Sequence, residues 1–228
     1  MRIDAIKYGE SVFGEHHIFM GGDPKVLLPI SFTIYLIRSE GRTLLVDAGC
    51  DDGAGFVMSV FERPSVLLER LGVPPDDVTD VLLTHAHHDH VEAVHHYKNA
   101  TVHLHREEYP TARRYIPNGT RISLFDREAQ ITSEVCFRWI GGHSRGSSIV
   151  LVGDYVLCGD ECYYERCLRE NMLTGASCDR ERSRRFLEEY RKPPYIPLLF
   201  HDPSILPRRV GCFTVTATEP EEKELPRK

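Results

Sequence analysis

The sequence predicts an α/β fold in which sheets pack against each other inside and helices cover the outside. Three segments with helical periodicity lie at residues 64–71, 91–97 and 180–191. Strands come first and are followed by mixed strands and helices, twice over, which is the order of a layered α/β protein. The strand predictions rest on short runs rich in β-branched and apolar residues, at residues 3–8, 32–38, 43–47, 81–84, 101–105, 135–140, 148–152, 155–158, 196–200 and 213–216.

Length and composition indicate one globular domain. A chain of 228 residues, 41% of them apolar, can bury a sizeable core. We expect a single domain over residues 1–218. Residues 219–228 are charged, carry two prolines and have almost no apolar side chains. Because such a segment has little to bury, we expect it to be a flexible C-terminal tail.

Charge and hydropathy limit the partners. A formal charge of −6, from 28 basic and 34 acidic residues, gives no general basic field for polyphosphate, so we do not expect nucleic acid to bind. The N-terminus lacks the pattern of a secretory signal, and the most apolar stretch, residues 26–37, is too short to span a bilayer. We therefore expect a soluble, cytoplasmic protein that takes a small-molecule substrate and binds no membrane. The sequence leaves its oligomeric state open.

The most informative segment is Val-Leu-Leu-Thr-His-Ala-His-His-Asp-His at residues 81–90. An apolar strand runs into several side chains that bind zinc, since imidazole nitrogen and carboxylate oxygen are both good ligands for this ion. Histidines can also cluster by chance on a surface loop, and we interpret the adjacent pair His95 and His96 in that way. For residues 85–90 the ligand types and the position at a strand end favour a metal site.

These residues resemble the metallo-β-lactamase superfamily, and other segments match the family in the same order. Residues 43–49 resemble its strand with an Asp-x-Gly turn, where Asp47 would support the metal loops. Residues 142–147, Gly-His-Ser-Arg-Gly-Ser, resemble its third histidine segment; Gly-Asp at 159–160 and Phe-His-Asp-Pro at 200–203 resemble the last two. The chain departs from many relatives at residues 91–93, Val-Glu-Ala, where they carry small residues, often glycine.

The resemblance implies an αββα sandwich of two mixed β-sheets with helices outside, and a centre for two Zn²⁺ ions per chain, with iron or manganese as alternatives. It assigns one ion to His85, His87 and His143, the other to Asp89, His90 and His201, and Asp160 to both.

The same residues separate this chain from other branches of the superfamily. In the true β-lactam hydrolases the bridging Asp is absent, and the di-iron reductases have a Glu at the position of His87. The nuclease branches generally add extra domains or basic arms, and glyoxalase II-type thioesterases add a C-terminal helical region.

Within the superfamily, the compact chain resembles N-acyl-homoserine lactonases and related small lactonases. Tyr163 lies three residues after Asp160, where the lactonases have a tyrosine whose hydroxyl points to the substrate carbonyl; packing alone is the other interpretation. We expect a hydrolase in which a metal-bound hydroxide attacks an ester or lactone carbonyl while Asp89 transfers the proton. The alternatives are a phosphodiesterase or thioesterase of the same fold, or a catalytically silent metal-binding or sensing protein.

Overall fold

The computed structural model describes residues 1–215 and the backbone of 220–223. The strands are β1 (Arg2–Gly14), β2 (Leu27–Ser39), β3 (Arg42–Val46), β4 (Val60–Phe61), β5 (Asp80–Leu83), β6 (Thr101–His105), β7 (Arg121–Phe125), β8 (Glu128–Gln130), β9 (Val135–Trp139), β10 (Ser148–Val152), β11 (Tyr155–Leu157), β12 (Ile196–Leu198), β13 (Gly211–Val215) and β14 (Pro220–Lys223). The α-helices are α1 (Glu15–Ile18), α2 (Pro64–Arg70), α3 (His88–Val91), α4 (Tyr109–Ala112), α5 (Glu165–Glu170) and α6 (Arg180–Tyr190). Short 3-10 turns cover Pro75–Asp77, Glu92–His96, Arg106–Glu108 and Gly159–Glu161.

These strands form two mixed sheets. The first has the order β14-β13-β1-β2-β3-β5-β6-β7, with β4 on the side of β1, and the second has the order β12-β11-β10-β9-β8. Strands β3, β5, β6 and β7 are parallel, because a helical segment between each strand and the next returns the chain to the same end of the sheet. In the second sheet only β11 and β12 pair in parallel, across the connection that contains α5 and α6.

The core has one layer between the sheets and others under the helices. Along β2, Tyr35 and Ile37 join Phe200 in the inner layer, whereas Ile34 and Leu36 belong to the outer one. Successive strand residues point to opposite faces, so a strand buried on both faces is a continuous apolar run. The Tyr35 hydroxyl also donates a hydrogen bond to the Leu199 carbonyl at 2.6 Å and so ties the two sheets together.

The predicted strands and helices are all present, with shifted ends. The helix predicted at 91–97 begins earlier, as α3, and continues as the 3-10 turn Glu92–His96. The predicted tail at 219–228 contains β14, whose backbone pairs with β13, and its other residues lie outside the described part of the chain. Among the described residues, no helix combines the length and the apolar character needed to cross a membrane.

Candidate metal centre

The candidate ligands follow strands of both sheets and meet at one edge of the sandwich. The segment after β5 carries His85, His87, Asp89 and His90. The second sheet supplies the other three, after β9, β11 and β12: His143, Asp160 and His201. The structure therefore brings together all seven residues that the sequence singled out.

Four of the seven side chains form a first group. His87 Nδ1 lies 3.0 Å from His85 Nε2 and 2.9 Å from His143 Nε2. Asp160 Oδ2 lies 3.5 Å from His85 Nε2 and 3.4 Å from His143 Nε2. His87 is exposed while the other three are buried, so this group opens to solvent on the His87 side.

The second group shares Asp160 with the first. Asp160 Oδ1 lies 3.0 Å from His201 Nε2 and 3.1 Å from His90 Nε2. Asp89 Oδ2 lies 3.5 Å from His90 Nε2 and 3.7 Å from His201 Nε2. The two oxygens of Asp160 thus face different groups, which is the arrangement of a bridging carboxylate.

Hydrogen bonds behind the centre fix the orientation of three histidine rings. His90 Nδ1 donates to Asp47 Oδ2 at 2.7 Å, and His201 Nδ1 donates to the Ser31 carbonyl at 2.9 Å. The Thr84 hydroxyl donates to Asp47 at 2.8 Å and so accepts from His85 Nδ1 at 3.1 Å. Nδ1 is therefore the donor nitrogen of each ring, and in the neutral form that binds a metal each Nε2 presents a lone pair to the centre.

This convergence of lone pairs fits bound cations. His90 Nε2 and His201 Nε2 lie 3.3 Å apart, and neither can donate to the other in these tautomers. Imidazole nitrogens and carboxylate oxygens are the donor set that Zn²⁺ prefers. The residues present therefore fit the two ions that the resemblance implies.

Charges around the centre shift several pKa values. Burial lowers the pKa of His90, but the carboxylates of Asp160, Asp89 and Asp47 outweigh burial and raise that pKa well above its ordinary value. Burial raises the pKa of Asp160, yet the surrounding histidines, His90 first, bring it well below its usual range. Asp160 is therefore a carboxylate at neutral pH, as a metal ligand must be.

Glu108 and Glu161 are buried carboxylates that tie ligand-bearing segments together, and sequence reasoning missed both: Glu108 joins the segment after β5 to the segment of His143, and Glu161 joins the segment of Asp160 to that of His143. Glu108 accepts from the Ala86 and Gly146 amides, both at 2.9 Å, and from the Ser144 hydroxyl at 2.6 Å. Glu161 accepts from the Gly142 and His143 amides at 3.1 and 3.2 Å. Burial raises the pKa of Glu161 to about 7 against these hydrogen bonds.

The two carboxylates explain both glycines of the segment that carries His143. A Cβ on Gly142 would lie 2.3 Å from Glu161 Oε2, and one on Gly146 would lie 2.7 Å from Glu108 Cγ. Larger residues would push the carboxylates off the backbone amides. The two glycines are thus the sequence signal for a side chain packed closely against this segment, although they do not identify Glu108 and Glu161.

Tyr163 contacts the bridging carboxylate. Its hydroxyl donates to Asp160 Oδ2 at 3.0 Å, and its ring lies 5.1 Å from the His201 ring. Phe13 lies 6.3 Å from Tyr163 and 5.2 Å from Phe56 between ring centroids. These aromatic side chains form an apolar wall on the Tyr163 side of the centre.

A polar cavity lies beside His143, which is one of the residues that line it. It has a volume of about 820 Å³ and is lined by Trp139, Arg145 and Arg182 among others. The Arg182 guanidinium lies 4.1 Å from the centre of the Trp139 ring. The centre is therefore flanked by an apolar wall and by a cavity of mixed charge.

Comparison with known proteins agrees with this geometry. The sequence model of the Metallo-beta-lactamase superfamily matches residues 32–196, and the chain belongs to that family. The matched span contains six of the seven converging residues, and His201 follows it.

The relatives within the family include named lactonases. The N-acyl homoserine lactonase AiiB of Agrobacterium fabrum is 30% identical over 114 residues, 43% of this chain and 41% of that protein. The N-acyl homoserine lactonase of Bacillus cereus is 24% identical over 153 residues, 57% of this chain and 61% of that protein. The chain thus spans less than two thirds of the length of either relative.

Solved structures share the fold. An N-acyl homoserine lactone hydrolase, with the product N-hexanoyl-L-homoserine bound at its catalytic metal centre, superposes with a TM-score of 0.79 and 21% identity. That match covers 89% of this chain and 94% of the other. AidC, described as a dizinc quorum-quenching lactonase, has a TM-score of 0.70 and 15% identity, covering 99% of this chain and 95% of its own.

Proposed function

We propose that this protein is a metal-dependent hydrolase that uses a dinuclear zinc centre to open a lactone ring or to cleave a related ester. The observation that carries the proposal is the position of Asp160, which presents one oxygen to each group of ligands and accepts the Tyr163 hydroxyl. One ion would be held by His85, His87 and His143, the other by Asp89, His90 and His201. A dinuclear centre of this kind supplies, when bound, Lewis acidity and a water of lowered pKa.

Tyr163 is proposed to turn its hydroxyl from Asp160 Oδ2, to which it donates in this structure, and to donate that hydrogen bond to the substrate carbonyl oxygen. Burial, together with the charges of Asp160 and Asp89, raises the pKa of the Tyr163 hydroxyl well above its ordinary value. The hydroxyl therefore keeps its proton across the physiological range and acts as a donor, not as a base. A buried donor of this kind stabilises negative charge as it develops on the carbonyl oxygen.

Asp89 is proposed to move the proton. Its side chain is 15% exposed, against 3% for Asp160, so Asp89 is the more accessible carboxylate of the centre. The Tyr8 hydroxyl donates to the Asp89 backbone carbonyl at 2.8 Å and fixes the residue in place. From this position Asp89 accepts the proton of the attacking water and returns it to the leaving oxygen.

The surroundings of the centre favour a neutral ester with an apolar substituent. Phe13 and Phe56 lie on the side of Tyr163, where the carbonyl oxygen would be held. An acyl chain packed against these rings would bury apolar surface, and each Å² removed from water contributes about 25 cal/mol to the free energy of transfer. N-acyl-homoserine lactones combine such a chain with a lactone ring, and relatives of this chain are named for their action on that class.

The test is acid release from a short-chain and a long-chain N-acyl-homoserine lactone, followed with a pH indicator. Zinc-loaded protein is compared with the chelator-stripped protein, and an aryl phosphodiester and a thioester are assayed beside the lactones. We expect metal-dependent release, faster for the lactones than for the other two. Protein with two metal equivalents that acts only on the phosphodiester or the thioester would overturn the lactone assignment, and protein that acts on none would favour a silent binding protein.

A further inference from the structure

A second cluster of metal-ligating side chains lies outside the dinuclear centre. Asp51, His95 and His96 each offer one ligand atom, and these three atoms all lie within 4.8 Å of one another. Asp51 follows β3 in the chain, whereas His95 and His96 end the 3-10 turn Glu92–His96. The sequence led us to interpret the histidine pair as a surface pair, and the structure places a carboxylate against both rings.

The hydrogen bonds of His95 show which ring nitrogen is free. Its Nδ1 lies 3.0 Å from the Glu92 carbonyl oxygen, which has no proton to give, so Nδ1 is the donor. In a neutral ring, Nε2 then presents a lone pair, and it lies 3.4 Å from Asp51 Oδ2. A histidine whose Nδ1 donates to a backbone carbonyl while Nε2 faces a carboxylate has the arrangement of a metal ligand.

His96 approaches the same carboxylate oxygen. Its Nε2 lies 2.6 Å from Asp51 Oδ2, and the two imidazole rings lie 4.2 Å apart. The ring nitrogens of both histidines therefore converge on one carboxylate oxygen. A single cation between the rings and the carboxylate would take one ligand atom from each of the three groups.

The charge of Asp51 is otherwise poorly compensated. Its Oδ1 is buried and has no hydrogen-bond partner among the described residues. Arg63 Nε lies 4.0 Å from that oxygen, at the limit of an ion pair, and the Arg63 side chain is 59% exposed. Asp51 thus has one oxygen, Oδ2, that faces two imidazole nitrogens and a second, Oδ1, that is buried without a hydrogen bond, and a bound cation would compensate this charge.

We propose that Asp51, His95 and His96 form a third site, for a divalent transition cation such as Zn²⁺. Two imidazole nitrogens and one carboxylate oxygen provide three of four tetrahedral ligands, and water reaches the fourth position because the His95 and His96 side chains are 42% and 30% exposed. The proposal does not depend on the proposed function, since it concerns residues outside the dinuclear centre.

The role of this site is structural. The Asp51 amide donates to Glu92 Oε2 at 2.8 Å, and the Ala93 amide donates to the Gly49 carbonyl at 3.0 Å. A cation would add a third link between these two segments. They directly follow Asp47 and His90, so the added link stabilises the support of the dinuclear centre. Glu92 is one of the residues at which the sequence differs from the small residues of many family members, and its side-chain contact with the Asp51 amide gives it a role here.

The test counts zinc equivalents by equilibrium dialysis of chelator-stripped protein followed by elemental analysis. We expect three equivalents for the native chain and for His17→Gln, a histidine control away from the cluster, and two for His95→Gln and for His96→Gln. Asp51→Asn, which keeps both rings, should also bind two. Adding the third equivalent of zinc should raise the unfolding temperature of the native chain but not that of the His96→Gln protein.

Two outcomes would overturn the proposal. Saturation of the native chain at the same number of equivalents as the His95→Gln and His96→Gln proteins would show that the cluster binds no zinc. A third equivalent that survives in both histidine variants would place the ion elsewhere. Neither the zinc count nor the unfolding temperature depends on lactonase activity. A protein that binds three equivalents of zinc but hydrolyses no substrate would therefore contradict the proposed function and leave the third site standing.

Discussion

Asp47 supports the metal centre through one buried side chain. Its backbone lies in the left-handed region, with φ of 61°, which asparagine and aspartate tolerate better than most residues. From there its oxygens accept from the Thr84 amide, the Thr84 hydroxyl and His90 Nδ1 at 2.7, 2.8 and 2.7 Å. All three groups belong to the segment after β5, so the rings of His85 and His90 both depend on this carboxylate.

Asp47→Asn is expected to weaken zinc binding by about 10- to 100-fold. The amide keeps the backbone conformation but turns one acceptor oxygen into a donor, which then faces either Thr84 or His90 Nδ1–H. The measurement is zinc affinity by competition with a chromogenic chelator. Asp52→Asn, in the same loop but with a side chain that is 69% exposed, is the control and should bind zinc normally. Equal affinities for the two variants would contradict the role of Asp47.

Tyr163→Phe is expected to lower kcat for lactone opening by on the order of 100-fold, because one donor to the carbonyl oxygen is lost. Zinc content should not change, since the hydroxyl is not a ligand. The matched control is Tyr164→Phe, whose hydroxyl donates instead to the Pro29 carbonyl. Steady-state kinetics and metal analysis of both variants test this, and unchanged kinetics in Tyr163→Phe would leave the tyrosine with a packing role only.

At the scale of elements, Asp80 joins three neighbouring parallel strands. It begins β5 and accepts from Arg42 Nε at 2.9 Å on β3 and from His103 Nε2 at 2.8 Å on β6. The Thr79 hydroxyl adds a hydrogen bond at 2.7 Å. Burial alone would raise the pKa of Asp80, but the hydrogen bonds from His103, Arg42 and Thr79 lower it to about 2.

A lowered pKa makes this stabilisation dependent on pH. The folded chain holds Asp80 ionised, so its contribution is fully present above the ordinary pKa of 3.8 and is lost as pH falls toward about 2. Asp80→Asn should lower the free energy of unfolding by about 1–3 kcal/mol at neutral pH. The difference from the native chain should shrink between pH 4 and pH 2, as measured by urea unfolding. A difference that stays constant over this range would contradict the ionic role.

Asp126→Asn is the control for that experiment. Asp126 pairs with Arg106 on the surface, where the two side chains are 70% and 57% exposed, so its loss should have no measurable effect on stability.

The periodicity of apolar residues predicted the strands and helices in which it is pronounced, and it missed the elements that lack such a period. Strand β8 contains Glu128 and Gln130, and β7 begins with two exposed residues, so neither shows the alternation of a half-buried strand. The metal ligands could be predicted because their residue types and order match a family. Glu108 and Glu161 could not, because their partners lie far away in the sequence and only the folded chain brings them together.

On the scale of the whole molecule, the centre joins the two sheets. His85 and His90 follow a strand of the first sheet, whereas His143, Asp160 and His201 follow strands of the second. Ions held between them would therefore resist separation of the layers as well as serve chemistry. Metal removal should act on global stability and not only on activity.

Chelator treatment is expected to lower the unfolding temperature of the native chain. A site filled at about 1,000 times its dissociation constant contributes about 4 kcal/mol, because the folded state alone binds the ion. Differential scanning calorimetry with and without added zinc measures the shift. The His96→Gln protein should keep most of it, since its dinuclear ligands are intact. Identical transitions with and without zinc would show that the ions do not link the sheets.

The pairing of β1 with β13 has a consequence for biosynthesis. Ile3 lies opposite Val215, so one edge of β1 finds its neighbour only after almost the whole described chain has left the ribosome. Until then residues 3–7 of β1 form an unpaired edge, of the kind that recruits strands from other nascent chains, whereas Gly9 and Glu10 pair earlier with β4. His201 emerges after the other six candidate ligands, so the candidate metal centre is complete only once residue 201 has left the ribosome. Chaperones that shield exposed edges, and the cellular zinc supply, would therefore act on this protein at the same stage of its synthesis.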